Sequence, residues 1–204
     1  MKSIIPFILL LFILLACQKE RTIGIQPLGD FDAALTDTIA KTIEDVYGFN
    51  VIVMEDKPIP QSTFVNIKTP RYRADSLIRI LKEEKPDSIS HILGLIEKDI
   101  STTKKDKNGA IKEPVDKYTD WGIFGLGYRP GVSCIVSSYR ITAENESLFI
   151  ERLQKIVMHE LGHNLGLKHC THNETCVMRD AAETIKTVDN VELKLCERCL
   201  NIIN

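Results

Sequence analysis

The sequence has 204 residues, 44% hydrophobic and 26% charged, so it is long enough for one domain with a buried core and is neither disordered nor fibrous. Its 26 basic and 28 acidic side chains give a formal net charge of -2, which leaves no basic excess for binding phosphates and excludes nucleic acid as an expected partner. Four of the six cysteines follow residue 169, close to three of the five histidines. We therefore expect the chemistry of the chain near its C-terminus.

The first segment of the chain has the pattern of an export signal. Lys2 precedes an apolar run at residues 4–16, whereas a helix that crosses a membrane needs about 20 such residues. The run ends in Leu-Leu-Ala-Cys, which resembles the lipobox of bacterial lipoproteins and implies cleavage before Cys17, acylation of that residue and attachment to a membrane. The alternative is an ordinary secretory signal in which Cys17 has no role.

These features divide the chain into three predicted parts. Residues 1–16 are the signal peptide, residues 17–29 are a polar tether with glycine and proline, and residues 30–204 form a single domain. We expect the mature protein to be a monomer, exported and lipid-anchored on the periplasmic or cell-surface side of a bacterial membrane.

The predicted domain begins with alternating helices and strands. Apolar residues at helical spacing predict helices over residues 31–47 and 74–82. Runs of β-branched and apolar residues predict strands at 50–54, 63–67 and 91–96. This alternation favours a mixed sheet with helices packed against it.

The middle of the chain gives weaker signals. Residues 98–120 lack periodicity and are predicted to form a long loop, either a lid or binding loop or a plain solvated insertion. Strands are predicted at 121–128, where glycines interrupt the pattern, and at 132–136. A helix with Thr142 as its N-cap then continues through Leu161.

That helix leads into an eleven-residue segment that fits the pattern H-E-x-x-H-x-x-G-x-x-H. Residues four apart share a helix face, so His159 and His163 can bind one cation with Glu160 beside them. A third ring on the same straight helix would point away, so the chain must turn back, and Gly166 tolerates the positive φ of such a turn. His169 can then complete a site of three nitrogens with an open fourth position, which is typical of catalytic zinc.

The motif resembles the zinc signature of the metzincin metallopeptidases, and the cysteines after it resemble those of the archaemetzincins within that group. The resemblance implies an α+β, zincin-like fold with a mixed twisted sheet, an active-site helix and a C-terminal segment held by a four-cysteine zinc site. The four residues are Cys170, Cys176, Cys196 and Cys199. In one departure from the expected pattern, five residues separate Cys170 from Cys176 instead of four.

The residues alone leave two explanations for these four cysteines. They either form a tetrahedral zinc site or pair as two disulfides, because an exported protein meets oxidising conditions. The C-x-x-C element at 196–199 and the family resemblance favour zinc. The chain is then expected to bind two zinc ions, one catalytic and one structural.

A methionine completes what the resemblance implies. Met178 corresponds to the methionine of the metzincin Met-turn, a hydrophobic floor beneath the catalytic metal. Some metzincins have a tyrosine two residues later that reaches the zinc, but this chain has Asp180 there, so no such ligand is expected. The sixth cysteine, Cys134, lies in an apolar run and is predicted to be a buried thiol.

Together these residues predict a zinc peptidase that acts on peptides or proteins. A zinc ion lowers the pKa of bound water from about 15.7 to about 7, and Glu160 takes the proton and returns it to the leaving amine. The substrate is expected to lie extended along an edge strand, for which residues 121–128 are the candidate. The alternative is a non-catalytic, zinc-stabilised lipoprotein for peptide binding or assembly. Glu160 favours the enzyme, because a binding site needs no base beside its metal.

Overall fold

The computed structural model describes residues 21–180 and 184–203. Its strands are β1 Thr22–Leu28, β2 Asn50–Val53, β3 Phe64–Asn66, β4 Pro70–Arg73, β5 His91–Ile96, β6 Ile100–Thr102, β7 Trp121–Ile123, β8 Gly125–Gly127 and β9 Ser133–Ser137. Its helices are α1 Ala33–Tyr47, α2 Ala74–Glu84, α3 Val115–Tyr118, α4 Glu146–Asn164, α5 Ile185–Asp189 and α6 Glu197–Ile203. The α+β class that the sequence predicts is confirmed.

A five-stranded sheet forms the centre of the domain, in the order β2-β1-β5-β9-β8. Its strands run parallel except for β8, which pairs antiparallel with β9 at one edge. On one face, Ile39 of α1 and Val157 of α4 belong to a buried cluster that includes Ile25 of β1. On the other face, Leu77 of α2 belongs to a second cluster with Ile92 of β5. The predicted mixed sheet with packed helices is therefore confirmed, and its central strands are apolar because both faces are covered.

A second sheet of four short strands has the order β3-β4-β6-β7. Residues 98–120, predicted as an aperiodic loop, contribute β6 and the short helix α3 to this region. Strands of three residues are too short to show an alternating pattern, which is why the sequence does not reveal them. Arg71 and Arg140 both bind the buried carboxylate of Asp99, with N–O distances of 2.8 and 2.6 Å. This buried charge network joins the second sheet to the segment after β9.

The predicted tether is wrong from residue 22 onward, because β1 pairs with β2 on one side and with β5 on the other. Gly24 and Pro27 suggest a linker, but each has a structural reason to be in this strand. A Cβ on Gly24 would lie 2.7 Å from Cδ1 of Ile89, so the glycine allows close packing. Pro27 lacks an N–H, yet its carbonyl accepts a hydrogen bond from the amide of Lys57 at 3.1 Å. The signal peptide at residues 1–16 and Cys17 lie outside the described residues.

Helix α4 positions the motif, and it begins three residues later than its predicted cap implies. The side chain of Asn145, rather than Thr142, accepts a hydrogen bond from the amide of Leu148 at 2.9 Å. Both residue types cap helices, so the sequence alone does not choose between them. Within residues 21–180 and 184–203, no helix has the length and apolar character needed to cross a membrane.

Candidate metal centre and active-site cleft

The last two turns of α4 carry two of the predicted histidines. His159 and His163 lie on one face of the helix, with ring centroids 4.6 Å apart. His159 is buried and His163 is partly exposed at the wall of a cleft. The helical period thus brings the two rings together as the spacing predicts.

The chain turns back directly after α4. Gly166 has a φ of 97°, and the amide of Leu167 donates to the carbonyl of Gly162 at 2.9 Å. The turn brings His169 to centroid distances of 5.3 Å from His159 and 4.9 Å from His163. One ring nitrogen from each histidine lies within 4.8 Å of the corresponding atoms of the other two. Three convergent imidazoles are a donor set that suits a catalytic zinc ion.

Backbone carbonyls orient two of these rings. Nδ1 of His159 lies 2.9 Å from the carbonyl oxygen of Val177, and Nδ1 of His163 lies 2.9 Å from that of Leu167. Each Nδ1 therefore carries the proton and donates it, which leaves Nε2 as the lone-pair donor for a metal. Burial and the neighbouring His163 lower the pKa of His159 to about 4, and burial also lowers the pKa of His163. Both rings are therefore neutral at pH 7, the form that binds a metal.

The side chain of Glu160 extends from α4 toward the edge strand β8. The amide of Gly127 donates a hydrogen bond to its carboxylate, while burial raises the pKa of Glu160 to about 8. A Cβ on Gly125 would lie 2.7 Å from Cγ of Glu160, and a Cβ on Gly127 would lie 2.5 Å from the carbonyl oxygen of Glu160. The glycines that weaken the strand pattern therefore let β8 approach the helix.

The predicted edge strand at 121–128 is divided between the two sheets. Its second half, β8, is the edge strand beside the histidines, whereas its first half, β7, pairs with β6 in the second sheet. Only three residues of the candidate therefore form the edge of the main sheet. The break falls at Phe124, which lies between the two strands.

A cavity of about 250 Å³ opens beside the three histidines. Its polar lining includes the three metal-binding candidates, Glu160 and two lysines, Lys104 and Lys155. Much of the remaining wall is apolar and includes Ile123, Phe124, Ile156, Val177, Val188 and Val191. A largely apolar cleft with a few convergent polar groups is typical of a binding site for part of a substrate.

Met178 lies against the underside of α4. Its side chain is fully buried, and a Cβ on Gly162 would collide with its sulfur atom. Gly162 is adjacent to His163, so the methionine packs directly behind the metal-binding face of the helix. Its role as the hydrophobic floor of a metal site stays a prediction.

The four C-terminal cysteines form one cluster. Their sulfur atoms all lie within 4.8 Å of one another, and two pairs are 3.7 and 3.9 Å apart. A disulfide bond is about 2.05 Å long, whereas sulfurs around a tetrahedral zinc ion are about 3.8 Å apart for Zn–S bonds of 2.3 Å. Burial raises the pKa of Cys176 and of Cys199, so a cation would be needed to hold these thiols as thiolates. The spacing of the four sulfur atoms is therefore consistent with a tetrahedral zinc site.

Three other residues with potential metal-binding side chains do not belong to the four-cysteine cluster. His172 is exposed, with Nδ1 3.5 Å from the guanidinium of Arg198, and the extra residue in its loop does not separate the four sulfurs. Cys134 is a fully buried thiol in β9, as predicted. Asp180 approaches His169, with 3.8 Å between Oδ2 and Nδ1.

One structural contributor to the site escapes sequence reasoning. Asn164 is buried, and its side-chain amide donates a hydrogen bond to the carbonyl of Tyr128 at 2.9 Å. Its backbone carbonyl accepts a hydrogen bond from the amide of Gly131 at 3.1 Å. These bonds join the end of α4 to the segment after β8. Asn164 occupies a variable position of the motif, and no local pattern reveals a role that depends on a distant loop.

Comparison with known proteins identifies similar sequences over most of the chain. The family model described as Peptidase family M54 matches residues 32–204. An archaemetzincin from Haloquadratum walsbyi is 29% identical over 190 residues, covering 89% of this chain and 98% of that protein. An archaemetzincin from Halobacterium salinarum is 30% identical over 188 residues, covering 87% of this chain and 96% of that protein.

Solved structures agree with these sequence matches. The crystal structure of an archaemetzincin from Archaeoglobus fulgidus, complexed with malonate, superposes with a TM-score of 0.70 at 25% identity, covering 89% of this chain and 99% of that one. The crystal structure of an archaemetzincin from Methanopyrus kandleri has a TM-score of 0.72 at 23% identity, covering 93% and 97% of the two chains. The second likeness supports the fold alone.

Proposed function

The chain belongs to peptidase family M54 and is a zinc metallopeptidase, and on that premise we propose that His159, His163 and His169 hold the catalytic zinc with Glu160 as general base. One observation supports this most directly. The donor nitrogens of the three histidines converge within 4.8 Å, at the wall of the cavity that also contains Glu160. A zinc ion held there supplies Lewis-acid chemistry, since it acidifies water toward neutral pH and polarises a carbonyl group.

The residues around the cavity have separate roles in the proposed reaction. A zinc ion in the histidine site would favour the ionised form of Glu160 and so oppose the effect of burial on its pKa. The carboxylate then accepts a proton from the attacking water and delivers it to the amine that leaves. The amide of Gly127 holds the carboxylate in place through the hydrogen bond it donates. The edge strand β8 offers backbone groups to an extended peptide, and its glycines leave no side chain between that peptide and Glu160.

We propose that the four cysteines hold a second, structural zinc ion, so that each chain binds two. The spacing of the sulfur atoms supports this, because it is close to that of a tetrahedral thiolate site. The site would fasten α6 to the segment between His169 and Met178. The expected structural consequence is a fixed position for that segment behind the catalytic histidines.

We also propose that the protein is exported and anchored by lipid on Cys17, with residues 1–16 removed. The support is the sequence pattern alone: a charged start, a short apolar run and a cysteine where that run stops. The proposed oligomeric state is a monomer, which light scattering of the soluble domain would test.

Family membership and the position of Glu160 disfavour the alternative of a non-catalytic binding protein. The test uses zinc-loaded protein and a mixed peptide library analysed by mass spectrometry. We expect cleavage that a chelator abolishes and zinc restores. We expect Glu160→Gln to retain its zinc and to cleave about 100-fold more slowly or less. Binding of peptides without any cleavage by the wild type would overturn the proposal.

A further inference from the structure

Lys155 occupies an uncommon position for a lysine. It lies on α4, four residues before His159, and its side chain is only 6% exposed. Lysine is rarely buried in proteins unless it is paired. Lys155 is among the residues that line the same cavity as Glu160 and the three histidines.

The partner of Lys155 is itself exposed to solvent. Nζ of Lys155 lies 2.6 Å from Oε1 of Glu151, whose side chain is 51% exposed. An ammonium group has three N–H donors, and this pair uses one of them. Glu151 can be hydrated at little cost, since half of its side chain already faces water. The lysine is therefore the buried partner of the pair.

Two other carboxylates near Lys155 have cations of their own. Asp189 binds Arg152 at 2.7 Å, and Glu192 binds Lys194 at 2.5 Å. Hydrogen bonds from these partners lower the pKa of each carboxyl, and the charge of Lys155 lowers both further. The positive charge of Lys155 therefore acts on these two carboxylates, but Arg152 and Lys194 already neutralise them.

The lining of the cavity carries more positive than negative charge from its side chains. The described residues that line it include two lysines, Lys104 and Lys155, and one residue with a carboxylate, Glu160. The walls around them are mainly apolar, which strengthens a charge–charge interaction by keeping water away. An apolar cavity with a buried ammonium favours a ligand group that is small and anionic.

We propose that Lys155 makes this cavity a subsite for a carboxylate group of the substrate, next to the bond that is cleaved. The carboxylate belongs either to an acidic side chain or to the free C-terminus of the peptide. The proposal rests on the proposed function, because it places the substrate in the cleft of Glu160. It adds a selectivity for acidic or C-terminal segments and names the residue that provides it.

The test uses a set of four otherwise identical peptides. They carry Glu or Gln next to the scissile bond and end in a free acid or an amide, so that side chain and terminus are separated. The measured quantities are the kcat/KM ratio of acidic to neutral peptides on zinc-loaded enzyme, and the Kd ratio on the Glu160→Gln variant, which binds with little turnover. The variants are Lys155→Met, Glu151→Gln and, as a matched control for lost charge, Lys41→Met, whose side chain is 73% exposed and pairs with Asp45 on α1.

We expect the wild type to prefer the carboxylate by roughly tenfold or more, as for a hydrogen bond to a charged group. Lys155→Met should lose that preference, Glu151→Gln should keep or increase it, and Lys41→Met should keep it. A purely structural ion pair predicts instead that Lys155→Met and Glu151→Gln behave alike and leave the ratio unchanged, which would overturn the inference. Selective binding without cleavage would support the subsite and contradict the peptidase. Cleavage without a preference for the carboxylate would support the peptidase and contradict the subsite.

Discussion

Nδ1 of His159 lies 2.9 Å from the carbonyl oxygen of Val177, the residue between Cys176 and Met178. The orientation of the His159 ring is therefore set by a backbone segment that directly follows a cysteine of the four-cysteine cluster. Val177 is fixed from its other side as well, because its amide donates to the carbonyl of Lys194 at 2.9 Å. The histidine cluster and the cysteine cluster are thus connected through two consecutive residues, Cys176 and Val177.

This connection predicts that loss of the cysteine site affects catalysis. Cys199→Ser should lower the zinc content from two ions per chain to one, reduce the melting temperature, and also reduce kcat/KM through the segment at Val177. Metal analysis, thermal melts and peptide cleavage measure the three effects. Cys134→Ala, in a buried strand and not one of the four clustered cysteines, should retain both zinc ions.

The same cysteines also distinguish metal from disulfide bonds. A reducing agent that does not chelate should leave the melting temperature of the wild type unchanged, while a chelator should lower it. A fall in stability on reduction, with zinc content below two before treatment, would indicate two disulfides instead.

The third ring is predicted to be essential for the catalytic ion. His169→Ala removes one of three nitrogen donors, so the variant should keep only the structural zinc and lose peptidase activity. His172→Ala is the matched control, because His172 is exposed and close in sequence but outside the cluster. Two zinc ions per chain in His169→Ala, measured after dialysis, would exclude that residue as a ligand.

The close approach of β8 to α4 predicts a sensitive glycine. Gly127→Ala would place a Cβ 2.5 Å from the carbonyl oxygen of Glu160, so the edge strand must move and kcat/KM should fall about tenfold or more with zinc retained. Gly48→Ala is the control, since nothing lies within 4 Å of its Cβ position, but its φ is 69°. That variant should lose about 1 kcal/mol of stability and keep its activity. Equal kcat/KM values for Gly127→Ala and the wild type would show that catalysis does not depend on the close approach of β8 to α4.

The buried position of β1 predicts where the domain can be shortened. A chain that begins at residue 21 should fold, whereas one that begins at residue 30 lacks a strand with partners on both sides and should not fold. Circular dichroism and a cooperative thermal melt measure the difference. If a protein that begins at residue 30 is folded and active, residues 22–29 are not part of the essential fold, as the predicted tether implies.

Anchoring by lipid is predicted to depend on one side chain. In a bacterial host, the wild type should partition with membranes and label with a radioactive fatty acid, because acyl chains bind the bilayer. Cys17→Ser should lose both properties while its exported domain keeps peptidase activity. Labelling of the Cys17→Ser variant would show that the lipid is attached elsewhere.

The sequence determined the parts of this protein whose geometry is local. The spacing of His159 and His163 becomes a shared helix face because the helical period is fixed, and Gly166 marks the turn because few other residues tolerate its φ. Long helices and the strand at 91–96 are visible because their apolar patterns are long enough to recognise.

Only the tertiary structure decided the features that depend on distant residues. The pairing of β1, the carbonyl of Val177 behind His159, and the burial of Lys155 all arise where segments far apart in the chain pack together. No local pattern encodes such contacts, because backbone groups are the same in every residue and burial is a property of the whole fold.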